Sequence, residues 1–515
     1  MELLMRTFSK KYIAIALTFS LLTGCSKFDE LNTNPDAAVN ASSAMLAANL
    51  ILNTTNGTIN SQKGFLSPHF LSKSVIYTEF AEDLQYNYLG RFNYDAVPTL
   101  TNVEKMIANA PSPALKNSYS GLGKFIRSFR FFDLTMRLGD IPYSDALKGE
   151  SNVTAPKYDT QKQVFAGILT ELEEADKLFA AGVKFDGDPV YAGDITKWRK
   201  MVNTFELMVL INLYKKTGEA DLKVVDRFKE IVSSKPIFAS NADNFQMVYS
   251  DKANQRYPFF KLGNPSVIYP MVSETLISKL KALDDRRLFY YANPSAVKVA
   301  AGSAISDPAA YIGTDPSMIY SAISKIFGTK DYSGLNSRYT ELYNTEPVYL
   351  LSYSMMKFIL AEAALRGWIT TATASAYYSE GITAAMQFTM NNTPDNSLYH
   401  HNMKMTDAYI ADYVASAKVK LAGTTEEQLS QIITQKYLST YLHAPYNAYF
   451  ENRRTGYPVF PINPASNGNT PATKMPIRWL YPQKELDYNT ANVSAAIASQ
   501  FGGSDDVNLQ MYILK

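Results

Sequence analysis

Residues 117–138 read NSYSGLGKFIRSFRFFDLTMRL, and residues 161–179 read QKQVFAGILTELEEADKLF. The second stretch repeats apolar side chains at helical spacing, at Val164, Ile168, Leu172 and Ala175, and leaves its acidic residues for the solvent face. Gly139-Asp140-Ile141-Pro142 directly follows the first stretch, and glycine and proline so placed end a helix. The two stretches therefore predict a pair of neighbouring helices.

Three further pairs of helical patterns follow along the chain. They cover Ile195–Lys216 with Leu222–Ser233, Val348–Arg366 with Ala372–Met390, and Thr425–Tyr441 with Tyr446–Arg453. Asp194 or Thr196 fits the N-cap of the first pair, and Gly367 stands where a left-handed C-cap is expected. Helix pairs of this size resemble tetratricopeptide hairpins, although no strict repeat is kept. Because no stretch alternates strongly enough for a large sheet, the predicted fold class is mainly α.

Residues Ser240 to Tyr343 interrupt this helical scaffold, which we place at about 40–235 and 345–460. The segment is rich in Tyr, Asn, Asp, Pro and Gly and has helical periodicity only around Val272–Leu283. A long irregular insert in a compact protein is either disordered or functional, and aromatic content argues against disorder. We therefore predict a large, irregular, loop-rich lobe at about 240–343, where binding residues lie.

The amino terminus has the pattern of a lipoprotein signal peptide. Three basic residues precede the apolar run Tyr12–Leu22, which is too short to cross a bilayer. Leu22-Thr23-Gly24-Cys25 resembles the bacterial lipobox, and Cys25 is the one cysteine of the sequence. We predict that residues 1–24 are removed and that Cys25 carries a lipid anchor to a membrane.

The composition argues against nucleic-acid binding and is neutral about sugar binding. The sequence has 50 Lys+Arg against 48 Asp+Glu and no basic tract, so nucleic-acid binding is not expected. It has 35 Tyr and 27 Phe but only 3 Trp. Tyrosine combines an apolar face with a hydroxyl, which suits sugar stacking and core packing equally well.

Five segments in a fixed order carry a family resemblance. They are LGDIPYSDAL at 138–147, YAGD at 191–194 with Lys197, Trp198 and Asn203, AEAALRGW at 361–368, QKYL at 435–438 leading to RRTGYP at 453–458, and MPIRWLYP at 475–482 followed by Glu485 and Asn489. With the lipobox, they make the chain similar to the SusD/RagB family, in its branch of starch-binding-associated outer-membrane lipoproteins. One departure is Arg286, which stands where the family commonly has the proline of Asp-Pro-Arg.

The resemblance implies a mainly α, single SusD-like domain over residues 25–515. It implies a non-catalytic lipoprotein of the outer membrane, facing the cell exterior, which binds a glycan or oligosaccharide. Its implied partner is a SusC-like TonB-dependent transporter, which it caps as a hinged lid and to which it delivers the ligand. It also implies that ligand-contacting aromatics lie in variable loops, so that Trp198, Trp368 and Trp479 in the shared motifs belong to the scaffold.

The ligand-binding residues have to be predicted from chemistry, because the shared motifs do not supply them. A sugar site needs an aromatic platform with planar polar groups at its edge. Two loop clusters meet this need, one at residues 77–91 and one at 254–259 continuing to 311–332. The predicted ligand-binding residues are Tyr77, Tyr86, Tyr88, Arg91, Asn254, Arg256, Tyr257, Tyr311, Tyr320 and Tyr332.

Other hypotheses stay open at this point. The same type of protein could capture peptides, which would need backbone hydrogen-bonding edges, and the helix pairs could serve as a docking scaffold. A surface glycosidase would need a carboxylate pair such as Asp186 with Asp188 or Asp284 with Asp285. The sequence has no zinc, serine-hydrolase or phosphate-loop motif, so an enzyme is not expected. No cofactor is expected, while Ca²⁺ at Asp186-Gly187-Asp188 stays unknown.

Overall fold

The protein, as a computed structural model, is described over residues 41–515, and helices dominate that range. The helices are α1 (Ser43–Ile59), α2 (Lys63–Leu71), α3 (Asn102–Ala108), α4 (Pro113–Leu138), α5 (Gln161–Ala180), α6 (Ile195–Asn212), α7 (Val224–Ser234), α8 (Glu274–Ala282), α9 (Leu288–Tyr291), α10 (Ala296–Ala300), α11 (Tyr320–Thr329), α12 (Arg338–Glu341), α13 (Tyr353–Leu365), α14 (Ala374–Asn391), α15 (Ser397–His400), α16 (Asp407–Ala415), α17 (Thr425–Ser439), α18 (Asn447–Thr455), α19 (Gln483–Tyr488) and α20 (Thr490–Phe501). The strands are β1 (Val75–Tyr77), β2 (Phe245–Met247), β3 (Pro270–Val272) and β4 (Val348–Leu351). The predicted signal peptide and Cys25 lie outside the described residues.

The first predicted helix pair is confirmed as α4 and α5, which pack along their lengths. Helix α4 begins at Pro113, earlier than predicted, because the Ser112 hydroxyl accepts a hydrogen bond from Leu115 N and proline fits the first helical turn. It ends at Gly139, whose φ of +94° favours glycine. Helix α5 begins with a capping box between Thr160 and Gln163.

The later pairs follow the prediction with one correction. The Asp194 carboxylate caps α6 by accepting from Thr196 N and Lys197 N, and Gly367 takes a left-handed conformation after α13. The helix predicted from Val348 begins only at Tyr353. Residues 348–351 form strand β4, because a β-branched, aromatic and aliphatic run suits a buried strand, and Ser352 then caps the helix.

The four strands are short, as the absence of alternating patterns predicted. Within the described chain they form two antiparallel two-stranded sheets, β1 with β3 and β2 with β4. Val75 lies opposite Val272 and Tyr77 opposite Pro270 in the first sheet. This sheet joins the end of the α2 region to the lobe and so positions the loop that follows Tyr77.

Buried ion pairs tie the helical scaffold together. Arg454 donates to both carboxyl oxygens of Glu362, at 2.5 and 2.7 Å, and to Glu451. Lys436 binds the other oxygen of Glu451 at 2.7 Å. Glu362 also pairs with Arg366, as the four-residue spacing predicted. We call Glu362, Lys436, Glu451 and Arg454 the ion cluster; it joins α13, α17 and α18.

Residues 240–343 fold into short helices and strands joined by long loops, with α8 to α12 and both β2 and β3 in this segment. Their aromatic side chains enter the common core, as Tyr257, Tyr290 and Tyr339 do. Over residues 41–515, no helix is both long and apolar enough to span a membrane.

Candidate functional site

A run of aromatic rings lies at the surface where the loop after β1 meets the lobe. Phe80 is 45% exposed, and Tyr269, Phe327 and Tyr332 are half-buried. The Phe327 and Tyr332 rings stack with centroids 5.5 Å apart, and Tyr269 lies 6.4 Å from Phe327. Buried Tyr77 bridges Phe80 and Tyr269, at 6.1 and 5.6 Å. We call Phe80, Tyr269, Phe327 and Tyr332 the aromatic platform.

The platform is held from beneath by the small β1–β3 sheet and by α11. Ile76 and Met271, which face each other in the sheet, pack with Ile323 of α11. The Tyr320 hydroxyl donates to Glu79 O at 2.8 Å, which fixes the start of α11 to the loop that carries Phe80. Phe327 lies on α11, and the loop residues Phe80, Tyr269 and Tyr332 are held against the sheet and α11 by these contacts.

Cations and acids border the platform. Lys63 Nζ lies 4.3 Å from the Phe80 ring centre and 3.1 Å from Glu82 Oε1, and Lys330 Nζ lies 4.3 Å from the Phe327 ring. Burial raises the pKa of Glu82 despite its hydrogen bond with Lys63. The border offers both hydrogen-bond donors and acceptors beside the aromatic rings.

An open cleft of about 660 Å³ lies beside the platform, between the α1–α2 turn and the loop 249–264. Its lining is rich in side-chain amides, from Asn56, Asn60, Gln62, Asn254 and Asn264. Tyr249 and Phe260 supply aromatic surface, and Arg256 is the one charged residue of the lining. We call this the amide cleft.

Two chain segments connect the amide cleft to the platform. Gln62 of the cleft is followed by Lys63, which covers Phe80. Asn264 of the cleft caps the 3₁₀ turn 265–268, which leads to Tyr269 of the platform. The cleft and the platform are therefore linked through two short stretches of the chain.

Three predicted ligand-binding residues lie in the core. Tyr77, Tyr257 and Tyr311 are each at most 2% exposed. Tyr311 donates its hydroxyl to Ile305 O at 2.8 Å, and its ring packs against Phe289. These rings already contact other aromatic side chains, and Tyr77 and Tyr311 offer no free face for a sugar, whereas Tyr257 also forms part of the lining of the amide cleft. For these three residues, burial of a large apolar ring outweighed placement in a polar loop.

Two predicted arginines are held by acidic neighbours. Arg91 donates to Asp505 at 3.0 Å and to Tyr481 O at 2.9 Å, away from the platform contacts. Arg256 lines the amide cleft but its Nε donates to Asp251 at 2.7 Å. Arg91 therefore ties its loop to the C-terminal region, and Arg256 enters the cleft with its charge balanced.

The remaining predicted residues reach or border the candidate site. Tyr332 belongs to the platform, Tyr86 packs beneath it, and Tyr320 anchors α11. Tyr88 is 54% exposed on the turn after Tyr86. Asn254 is exposed in the amide cleft. The structure thus joins the first sequence cluster to Tyr320 and Tyr332, while Asn254 and Arg256 lie in the neighbouring cleft.

Sequence reasoning missed Phe80, Tyr269 and Phe327 of the platform and the α1–α2 turn of the cleft. Phe80 stands inside the first predicted cluster, so sequence reasoning could have included it. The α1–α2 turn carries Asn56, Asn60, Ser61 and Gln62, a polar group between two apolar helical patterns. That group was a usable signal for a surface-lining turn.

The carboxylate pairs considered for catalysis or calcium have structural contacts. Asp188 accepts hydrogen bonds from Val190 N, Tyr191 N, Gly193 N and Trp198 Nε1. Asp285 is fully buried against Arg287, and Asp284 pairs with Lys418. In residues 41–515, no group of three or more His, Cys, Asp or Glu side chains is placed to hold a metal ion.

Comparison with known families identifies the chain. A SusD-like family model, described as starch-binding associating with outer membrane, matches residues 35–482. The match covers most of the sequence, and the chain belongs to this SusD-like family. No curated protein matches the chain.

Solved structures agree with this membership. A SusD homolog from Bacteroides fragilis NCTC 9343 is 44% identical, with a TM-score of 0.89 over 92% of this chain and 100% of that one. An outer-membrane protein from Bacteroides vulgatus ATCC 8482, described in connection with nutrient binding, is 32% identical, with a TM-score of 0.81 and the same coverage. A chitin-binding SusD homolog from Flavobacterium johnsoniae is 21% identical, with a TM-score of 0.70 over 91% of this chain and 97% of that one, and shares the fold.

Proposed function

We propose that this protein captures a glycan on the aromatic platform and delivers it to a SusC-like TonB-dependent transporter of the outer membrane. The observation that carries the proposal is the platform itself, a run of part-exposed rings bordered by Lys63 and Glu82. Sugar rings present axial hydrogens to an aromatic face and hydroxyls to polar groups at its rim.

Family membership also supports glycan binding. The family is described as starch-binding, and one structural relative is described as chitin-binding. Starch and chitin are both polymers of uncharged sugars, which is compatible with a platform where Lys63 is paired with Glu82. In this proposal the protein makes and breaks no bond: Asp285, Asp284 and Asp188 are held by arginine, by lysine and by backbone N–H groups, respectively.

The proposal includes membrane attachment through acylated Cys25 at the cell exterior. Mass spectrometry of the protein purified from membranes would find the mature chain beginning at a lipid-modified Cys25. An intact residue 1–24 leader on the native protein would remove the anchor from the proposal while leaving glycan binding open.

Glycan binding is tested by changing the platform and measuring affinity by calorimetry with maltooligosaccharides and chitooligosaccharides. Phe80→Ala with Tyr332→Ala is expected to weaken binding by about 1–3 kcal/mol, since each aromatic contact is typically worth about 0.5–1.5 kcal/mol. Tyr488→Ala is the matched control, because Tyr488 is 84% exposed and lies outside the platform.

Three outcomes would count against the proposal. Equal affinity of parent and platform variant would remove the platform as the site. Binding of peptide mixtures but of no glycan would favour peptide capture instead. New reducing ends during incubation with the bound glycan would indicate a glycosidase.

A further inference from the structure

Three amide side chains of the amide cleft have no hydrogen-bond partner among the described residues. Asn56, Asn60 and Asn254 are exposed, and their side chains make no hydrogen bond to any residue of the range 41–515. Asn264 is 5% exposed and its Oδ1 caps Ser266 N, while its Nδ2 is buried without a partner in the same range. Buried amide donors are normally hydrogen-bonded, so Asn264 is an exception that a bound group would resolve.

The α1–α2 turn, which carries the cleft residues Asn60 and Gln62, has an unusual backbone. Asn60 has φ 61° and ψ −166°, and Gln62 has φ 50° and ψ −135°. These conformations favour glycine, because a Cβ crowds the backbone there. Strained non-glycine residues of this kind cluster at binding sites, where the side chain is needed in spite of its conformational cost.

The cleft is also built to keep its shape. Gln62 N donates to Pro258 O at 2.8 Å, and Gln62 Nε2 donates to Gly263 O at 3.3 Å, which joins the two walls. Tyr257 N donates to Tyr343 O at 2.7 Å and fixes the loop wall to the lobe. The amides therefore stand in a preformed site rather than on a free loop.

We propose that the amide cleft is a second sugar subsite for an uncharged part of the glycan that the platform holds. The proposal rests on the proposed function and extends it. A carboxamide donates and accepts at the same time, as neighbouring sugar hydroxyls require. The lining contains no carboxylate and no lysine, and Arg256 is balanced by Asp251. The ligand of this proposal is an oligosaccharide long enough to reach from the platform to the cleft.

Glycine substitution at two positive-φ asparagines separates binding from folding. Asn60→Gly with Asn254→Gly removes one amide from each wall of the cleft, at positions whose φ of 61° glycine adopts without strain. The melting temperature is expected to equal or exceed that of the parent. Calorimetry with maltooligosaccharides and chitooligosaccharides of increasing length is expected to show about tenfold weaker binding of the longest oligomer, with the shortest bound oligomer unaffected.

Asn152→Gly is the matched control, because Asn152 also has a left-handed φ of 62° but lies outside the cleft. It is expected to leave affinity at every length unchanged. If the double variant binds all lengths as the parent does, while the platform variant loses binding, the second subsite is overturned and the proposed function stands. If the parent binds no glycan, both are overturned. If peptides bind the parent and the double variant loses this binding, the cleft is a peptide site and the sugar subsite is overturned.

Discussion

Glu206 shows how a single buried group ties stability to pH. It lies on α6, is fully buried, and neither of its carboxyl oxygens has a hydrogen-bond partner within residues 41–515. Lys235 Nζ approaches Oε2 only to 3.8 Å. Burial raises the pKa of Glu206 to about 8 and outweighs the attraction of Lys235. At neutral pH the folded protein therefore keeps this carboxyl protonated, whereas the unfolded chain releases the proton near pH 4.5.

Stability is therefore expected to fall as pH rises from about 4.5 and to have lost this contribution fully above pH 8. Glu206→Gln keeps the shape and cannot ionise. Chemical denaturation should find the variant more stable than the parent by about 1 kcal/mol or more at pH 9, and within about 0.5 kcal/mol at pH 5. A constant difference at both pH values would show that ionisation of Glu206 does not contribute.

At the scale of elements, the contact between α5 and the turn after α4 depends on a glycine in α5, because any side chain there would meet the turn. A Cβ on Gly167 of α5 would lie 2.3 Å from Tyr143 Cε1. The Tyr143 ring cannot move aside easily, because it packs edge-on against Phe131 and under the Arg127 guanidinium at 4.3 Å. The residues Gly167 and Tyr143 therefore set how closely this turn approaches α5.

Gly167→Ala is expected to destabilise the protein by about 1–3 kcal/mol, because overpacking exceeds the gain in helix propensity. Gly57→Ala is the matched control: it changes a glycine inside α1 with no heavy atom near the added Cβ, so it should stabilise by about 0.5–1 kcal/mol. Urea denaturation of both variants measures the two effects. A stabilised Gly167→Ala would mean that the Tyr143 ring is free to shift.

The helices and strands also show where a sequence pattern is enough to predict the secondary structure. Helices α4 to α7 follow the predicted spans closely, because periodic apolar residues are bounded by caps such as Asp194 and Thr160. The segment 348–351 is different, since a short apolar run fits a helix and a buried strand equally well. Only pairing with β2, about a hundred residues away in the chain, decides between them.

For the whole molecule, the family and helical scaffold were predictable, whereas the site was predictable only in part. Loop polarity pointed to the region around Tyr86, Tyr332 and Asn254, which lies at or beside the candidate site. It could not tell that Tyr311 points inward, because a tyrosine suits a core and a surface equally well. The platform joins residues from 80, 269, 327 and 332, and such a meeting depends on tertiary packing that no local pattern records.

The scaffold is expected to unfold as one unit, and the ion cluster is the place to test this. Burial alone would raise the pKa of Glu451, but Arg454 and Lys436 outweigh burial and lower it, so Glu451 is charged at neutral pH. Arg454→Met leaves Glu362 and Glu451 short of a cation in the core, which should cost about 3–5 kcal/mol. Lys148→Met is the control; it breaks an exposed pair with Asp145 and should cost less than about 1 kcal/mol.

Calorimetry shows whether Arg454→Met destabilises only the helices around the ion cluster or the whole scaffold. Helix α18, which carries Arg454, is tied to α4 by Arg453, whose Nη1 donates to Met136 O at 2.6 Å, and α13 packs on α6. Because the early and late helix pairs share one continuous core, Arg454→Met should lower the melting temperature of a single transition without splitting it. A variant with two separated transitions, one at the parent's temperature, would instead divide the scaffold into independent halves.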